Sequence, residues 1–253
     1  MKQTRLMMNM PITVEIVDPG ARRRHLDKVF DLFKEVEDRF SPFSETSETT
    51  LVDRGLIRPR DCSPQMRVVL QLAEETRRAT QGYFDVRGSG HFNPVGIVKG
   101  WAIHKAAGQL RREGFRDFFV DAGGDIELSG KNADGQDWLV GIRNPFALGE
   151  VIKVLELSDQ GVATSGTYIR GDHIYDPLQG GAAPNSGVVS VTVIGPDAYE
   201  ADRFATAALA MGRAGIDFVE QQEGLEAYMV DQGGKAVYTS GFDDYVAKGG
   251  AVP

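Results

Sequence analysis

Ile12-Thr13-Val14-Glu15-Ile16-Val17 alternates apolar and polar residues, and Leu26, Val29, Phe30, Phe33, Val36 and Phe40 then recur at three- and four-residue steps. A period of two buries one face of a β-strand, and a period near 3.6 buries one stripe of an α-helix. The chain therefore starts as a strand feeding an amphipathic helix. Arg22-Arg23-Arg24, at the expected helix start, reads as a solvated face.

Further along, residues 41–62 are polar and read as a long loop. Ser63-Pro64 is an N-cap and N1 pair, Met66, Val69, Leu70 and Ala73 carry the next helix, and Gly82 suits its C′ position. A second helical pattern runs from about 97 to 112 and closes at Gly114. Strands are expected at 118–120, 138–142, 151–157 and 188–194. A small-residue helix follows from about 199 to 211, and short strands at 227–230 and 236–239 end the chain. Helices and strands mix without a regular strand–helix–strand rhythm. That favours an α+β fold, mixed sheets with flanking helices, over a doubly wound sheet. With no repeat, linker or composition break, residues 1–253 read as a single domain.

The net charge of −8 disfavours a nucleic-acid partner, because phosphate backbones need clustered positive charge. Cys62 is the only cysteine, so no intramolecular disulfide forms; a catalytic thiolate there is a minor possibility. The opening residues hold no apolar signal core and no lipobox, and no run is long enough to span a bilayer. The expectation is a cytoplasmic protein without a stable membrane anchor, or an exported one if a leader has been removed.

Glu200-Ala201-Asp202-Arg203-Phe204-Ala205-Thr206 is the most informative local stretch. On a helix Asp202 and Thr206 stand at i and i+4 on one face, and carboxylate and hydroxyl are hard oxygen donors suited to Mg²⁺. The bland alternative is a dipole partner in the first helical turn and a packed threonine. Gly96-Ile97-Val98-Lys99-Gly100 opens another helix, where free N–H groups attract phosphate and Lys99 adds charge or is simply a surface lysine. Gly123-Gly124-Asp125 reads chiefly as a chain reversal. His173 is a candidate general base or a structural histidine.

Taken in order, Tyr83-Phe84-Asp85, Gly96-Ile97-Val98-Lys99-Gly100, Ala122-Gly123-Gly124-Asp125, Thr164-Ser165-Gly166, His173-Ile174-Tyr175-Asp176-Pro177 and Ala201-Asp202-Arg203-Phe204-Ala205-Thr206 resemble the motif series of the ApbE family, the FAD:protein FMN transferases. The resemblance runs from about Met8 to Thr239. It implies metal ligands at Asp202, Thr206 and the Gly96 carbonyl. It implies FAD contacts at Met8, Phe43, Tyr83, Phe84, Asp85, Asn93, Lys99, Thr164 and Ile174, and catalytic roles for His173 and Asp202. The implied reaction is Mg²⁺-dependent: a Thr or Ser hydroxyl of an acceptor flavoprotein attacks the FMN-side phosphorus of FAD, and AMP leaves. The alternatives are hydrolysis of FAD to FMN and AMP, and a non-catalytic FAD-binding protein. Two positions depart from the family pattern. Asn9 stands where glycine usually follows the early methionine, and Asn93 stands where an acidic residue is usual.

Overall fold

The computed structural model describes residues 1–167, 175–176, 181–182 and 187–248. β1 (Lys2–Met7) and β2 (Met10–Ile16) form an antiparallel hairpin in which Met7 faces Met10. The two-residue turn between them has φ of 52° at Met8 and 58° at Asn9. That is the left-handed pair a tight hairpin turn requires, and asparagine accepts it better than most residues other than glycine. Asn9 therefore meets the backbone demand of this turn. Met10, Ile12, Val14 and Ile16 are buried, as the alternation predicts.

α1 (Arg23–Phe40) buries the expected stripe, and Arg22, Arg23 and Arg24 are exposed. The expectation of a long loop over 41–62 is corrected. The segment contains α2 (Glu48–Asp53) and a short 3₁₀ turn, Pro59–Asp61. Ser47 caps α2 by accepting the Thr50 N–H at 3.1 Å. Glu48 accepts from the Ser63 N–H and Oγ, both at 2.6 Å, which ties α2 to the next helix. Only Thr49 and Val52 of α2 are buried, too few to leave a period in the sequence.

α3 (Pro64–Ala79) starts at the expected Ser63 cap. It ends one residue differently: Gln81 (φ 54°) is the C′ residue and Gly82 follows, its N–H bonding the Arg77 carbonyl at 2.8 Å. α4 (Val95–Arg112) runs into β3 (Phe118–Ala122), β4 (Asp125–Ser129), β5 (Trp138–Asn144), β6 (Ala147–Leu157) and β7 (Gly161–Gly166). β8 (Tyr175–Asp176) pairs with β9 (Gly181–Ala182). β10 (Val188–Gly195), α5 (Ala198–Met211), α6 (Ala214–Glu220), β11 (Glu226–Asp231) and β12 (Ala236–Tyr238) complete the order.

Eight strands form one antiparallel sheet in the order β1-β2-β3-β4-β7-β10-β11-β12. α4 packs on β3 and β4 with α1 and α3 against it, and α5 packs on β7 and β10, in two adjoining apolar cores. The β5–β6 hairpin closes a third core with Leu128, Val162, Ile194 and Tyr228. The α+β expectation holds. Among the described residues no helix is long and apolar enough to cross a membrane.

Glu127 of β4, fully buried, fastens the helices to the sheet. It accepts from Arg111 at 2.6 Å, from His104 Nδ1 at 3.2 Å and from the Ala198 N–H that opens α5 at 3.2 Å. The bond to Glu127 raises the His104 pKa above its ordinary value, helped by Asp197 and opposed by burial and Arg111. Glu127 itself is held below the usual carboxylate range by His104 and Arg111 despite burial, so it stays ionised through neutral pH. A raised histidine pKa stabilises the fold fully below the unfolded value, about 6.5, and that stabilisation disappears as pH rises through the folded value. His104→Gln is therefore expected to lower the melting temperature most near pH 5.5 and little at pH 9, by less than about 1 kcal/mol because the ring is partly solvated. Melting curves of both proteins across that range test it; a pH-independent difference would contradict it.

Candidate functional site

α4 and α5 cross where glycine and alanine leave room. A Cβ at Gly100 would lie 2.6 Å from the Ala198 carbonyl oxygen and 2.7 Å from the Asp202 Cβ, so only glycine fits without a shift. α5 offers small residues at the same place, with Ala198, Ala201 and Ala205 buried. The close approach lets the Gly100 N–H donate to Asp202 Oδ2 at 2.8 Å. A regular α-helix commits that N–H to the carbonyl four residues back, which is Gly96. The Gly96 carbonyl therefore shares or loses its helical donor.

Asp202 is 2% exposed. Burial pushes its carboxyl pKa up, and Asp125 adds to the rise; Lys99 and the Gly100 N–H oppose it. The Lys99 ammonium lies 3.5 Å from Asp202 Oδ1 and closer still to Asp125 Oδ2. Asp125 is also 2% exposed, and its Oδ1 accepts the Thr164 N–H at 3.1 Å. Thr206, one turn after Asp202, bonds Ser165 Oγ at 3.2 Å. A Cβ at Gly96 would meet Phe84 Cε2 at 3.1 Å and Thr206 Cγ2 at 3.6 Å. Phe84, Gly96, Lys99, Asp202 and Thr206 thus converge on one place, and Asp125 and Ser165 join them.

Sheet register explains the convergence. Ile12 pairs with Ala122, Ala122 with Asp125, and Ile126 with Val162. The Met8-Asn9 turn, the Gly123-Gly124 turn and the Ser165-Gly166 end of β7 consequently share one end of the sheet. Asp125 is the functional candidate that the sequence reading passed over as part of a chain reversal. Its signal was available: Asp125 and Glu127 place acids at i and i+2 of a strand, on the face covered by helices.

The other expected residues take different surroundings. The Met8 N–H donates to Glu37 Oε1 at 2.8 Å. Phe43 is 84% exposed. The Phe84 ring is buried between Gly96 and the core. Asp85 Oδ1 accepts the Arg87 N–H at 2.8 Å, and Tyr83 is half-buried. The Thr164 hydroxyl pairs with that of Thr192 at 2.9 Å, so its main chain, not its side chain, meets Asp125. Asn93 precedes α4, where its Oδ1 accepts the Val95 N–H at 3.2 Å. It lines a polar cleft of about 270 Å³ together with Pro42, Thr49, Asp53 and His91. The buried Thr49 hydroxyl there has no hydrogen-bond partner among the described residues. His173 and Ile174 lie outside the described residues. Cys62 is buried and its thiol pKa is pushed up, first by burial and then by Glu48, which disfavours a thiolate nucleophile.

The donor set fits a hard divalent cation. Two buried carboxylates face one ammonium beside the hydroxyls of Thr206 and Ser165, and the cluster carries a net negative charge when both carboxylates are ionised. Among the described residues no three His, Cys, Asp or Glu side chains form a ready-made metal cage. Mg²⁺ needs none, since it takes one or two carboxylates and completes its shell with water and phosphate oxygens.

The sequence model of the ApbE family matches residues 8–89 and 91–229. The FAD:protein FMN transferase of Vibrio cholerae serotype O1 is 33% identical over 164 residues, 60% of this chain and 49% of that protein. The one from Salmonella typhimurium is 32% identical over 152 residues, 56% and 43% respectively. The chain thus spans about half the length of the curated relatives it matches. Among solved structures, the flavin transferase ApbE from Vibrio cholerae superposes with a TM-score of 0.86 at 24% identity, covering 97% of this chain and 98% of that one. The ApbE protein from Thermotoga maritima gives 0.85 at 21% identity, covering 98% and 99%. At these identities the structural likeness shows the fold.

The crossing makes a direct prediction. Gly100→Ala forces α4 away from α5 and is expected to cost about 1–3 kcal/mol, a fall in melting temperature of roughly 3–10 °C. Gly108→Ala, whose Cβ would meet only the tip of Arg112 at 3.4 Å, is the control; it is expected to be neutral or stabilising by up to about 1 kcal/mol. Equal melting of the two variants would contradict the tight crossing.

Proposed function

The chain belongs to the ApbE family, and from that membership we propose that it is an FAD:protein FMN transferase acting as one domain over residues 1–253. The observation that carries the reading is the meeting of Asp202, Thr206, Gly96 and Lys99 at the α4–α5 crossing. In this reading the Asp202 carboxylate, the Thr206 hydroxyl and the Gly96 carbonyl hold Mg²⁺. When bound, the ion would supply positive charge to offset that of the FAD pyrophosphate.

The residues of the chain do the rest. Lys99 adds positive charge beside the phosphates; the N–H groups at the start of α4 that the sequence offered to them are largely taken, Val95 by Asn93 Oδ1 and Ile97 and Val98 by the Pro94 carbonyl. Met8, Phe43, Tyr83, Phe84, Asp85, Asn93, Thr164 and Ile174 form the FAD-binding set carried over from the family. Buried between Gly96 and the core, Phe84 serves this set by shaping the wall. A Thr or Ser hydroxyl oxygen of the acceptor flavoprotein attacks the FMN-side phosphorus. The bond from that phosphorus to the bridging oxygen breaks, and AMP leaves with the oxygen. His173 is the assigned acceptor of the hydroxyl proton. Such a transfer needs positioning and charge neutralisation more than covalent help.

Incubation with FAD, Mg²⁺ and an acceptor, followed by intact mass of the acceptor, tests the proposal. The expected result is the added mass of an FMN phosphoester with matching AMP release; AMP without labelled acceptor would indicate a hydrolase instead. Asp202→Ala is expected to abolish Mg²⁺-dependent AMP release and Thr206→Ala to reduce it less, because a neutral hydroxyl contributes less charge. Full Mg²⁺-dependent release by Asp202→Ala would remove the metal assignment.

Asn93→Asp restores the acidic residue usual in the family. It is expected to tighten FAD binding several-fold, on the basis of about 1 kcal/mol for a charge-assisted bond over a neutral one. The carboxylate retains an oxygen for the Val95 N–H, so the start of α4 is preserved. FAD titration of both proteins at fixed Mg²⁺ reads the change; unchanged affinity would separate residue 93 from the nucleotide.

A further inference from the structure

One ammonium stands between two buried carboxylates, and it does not stand midway. Lys99 contacts Asp125 Oδ2 directly and lies 3.5 Å from Asp202 Oδ1. Both carboxylates are anchored by main-chain donors. Thr164 N–H holds the second oxygen of Asp125, and Gly100 N–H holds the second oxygen of Asp202. Gly123 and Gly124, with φ of 66° and 100°, turn the chain so that Asp125 enters β4 facing inward. The lysine side chain is the flexible member of the three. Its length allows the ammonium to move between the carboxylates, and a buried charge stays with whichever partner is offered.

An ammonium settled on Asp202 Oδ1 would take the lone pairs that a divalent ion needs. We propose that Asp125 is a positioning residue: it holds Lys99 off Asp202 and so leaves Asp202 open to the metal ion. This inference rests on the reading of Asp202 as a metal ligand. Asp125 touches neither metal nor substrate in this role. It sets where one cation resides so that a second can enter beside it. The arrangement also keeps Lys99 at the site, ready to turn to phosphate, instead of in solvent.

The test is Mg²⁺ affinity by titration calorimetry, without FAD, in four proteins: wild type, Asp125→Asn, Lys99→Met and the double variant. Asparagine keeps the shape of Asp125 and an oxygen for the Thr164 N–H. Asp125→Asn removes a negative charge in either background, but only with Lys99 present does it also release a competing cation. The loss of Mg²⁺ affinity on Asp125→Asn is therefore expected to be at least about ten-fold larger with Lys99 than in the Lys99→Met background. Equal losses would reduce Asp125 to a distant charge and overturn the proposal, as would no loss at all. Lys99→Met alone is expected to bind Mg²⁺ more tightly than wild type, and this arm stands even if Asp125→Asn fails to fold; unchanged or weaker binding overturns the proposal. Should the wild type bind no Mg²⁺ and release AMP without it, the metal reading itself fails, a result distinct from any of these.

Discussion

The missing side chain at Gly100 lets α4 and α5 approach closely enough for its main chain to hydrogen-bond the Asp202 carboxylate, and the site follows from that distance. Any side chain at residue 100 would stand against the Ala198 carbonyl and the Asp202 Cβ. With the helices that close, a carboxylate from one reaches a backbone donor of the other inside the protein, at 2.8 Å. The same approach brings Gly96 and Thr206 together beside the Phe84 ring. The sheet supports the crossing from beneath. A Cβ at Gly161 would lie 2.0 Å from the Asp197 carbonyl carbon, so the start of α5 rests directly on β7. Glu127 then ties that start to α4 through His104 and Arg111.

Charge is distributed around this crossing in two clusters with different characters. The Glu127 cluster is closed: one buried carboxylate meets a guanidinium, an imidazole and a helix N-terminal N–H, and its pKa stays low despite burial. The Asp202 cluster is left short of positive charge, with two carboxylates to one ammonium, and burial drives the Asp202 pKa upward. A closed cluster holds elements in place; an open one attracts a further cation. The two lie on successive turns of α4, which carries Lys99 into one and His104 into the other.

The two asparagines that depart from the family pattern sit in different physical situations. Asn9 occupies a left-handed turn position at φ 58°, where its short polar side chain is tolerated nearly as well as glycine. That departure preserves the backbone. Asn93 caps the approach to α4 with its side-chain oxygen and lines a cleft beside the segment that carries Phe43. That departure preserves the local hydrogen bond and removes a charge.

The sequence by itself determined the strongly periodic elements: β2 from its alternation, α1 from its apolar stripe, the start of α3 from Ser63-Pro64, and the i, i+4 placement of Asp202 and Thr206. Each follows from local chain geometry, which a short window of residues expresses in full. The ordered motif series identified the family for the same reason, since motif order is a property of the chain. Short elements with few buried residues, such as α2 and α6, left no period to read. Only the tertiary structure decided that Asp125 belongs to the site, that Phe84 is a wall, and that the Thr164 main chain matters more there than its hydroxyl. It also decided that Gly100 could not be another residue. These depend on which strands pair and how closely two helices cross. They are contacts between residues 26 to 102 positions apart, such as Lys99–Asp125, Asp125–Thr164 and Gly100–Asp202, and no local window holds both partners.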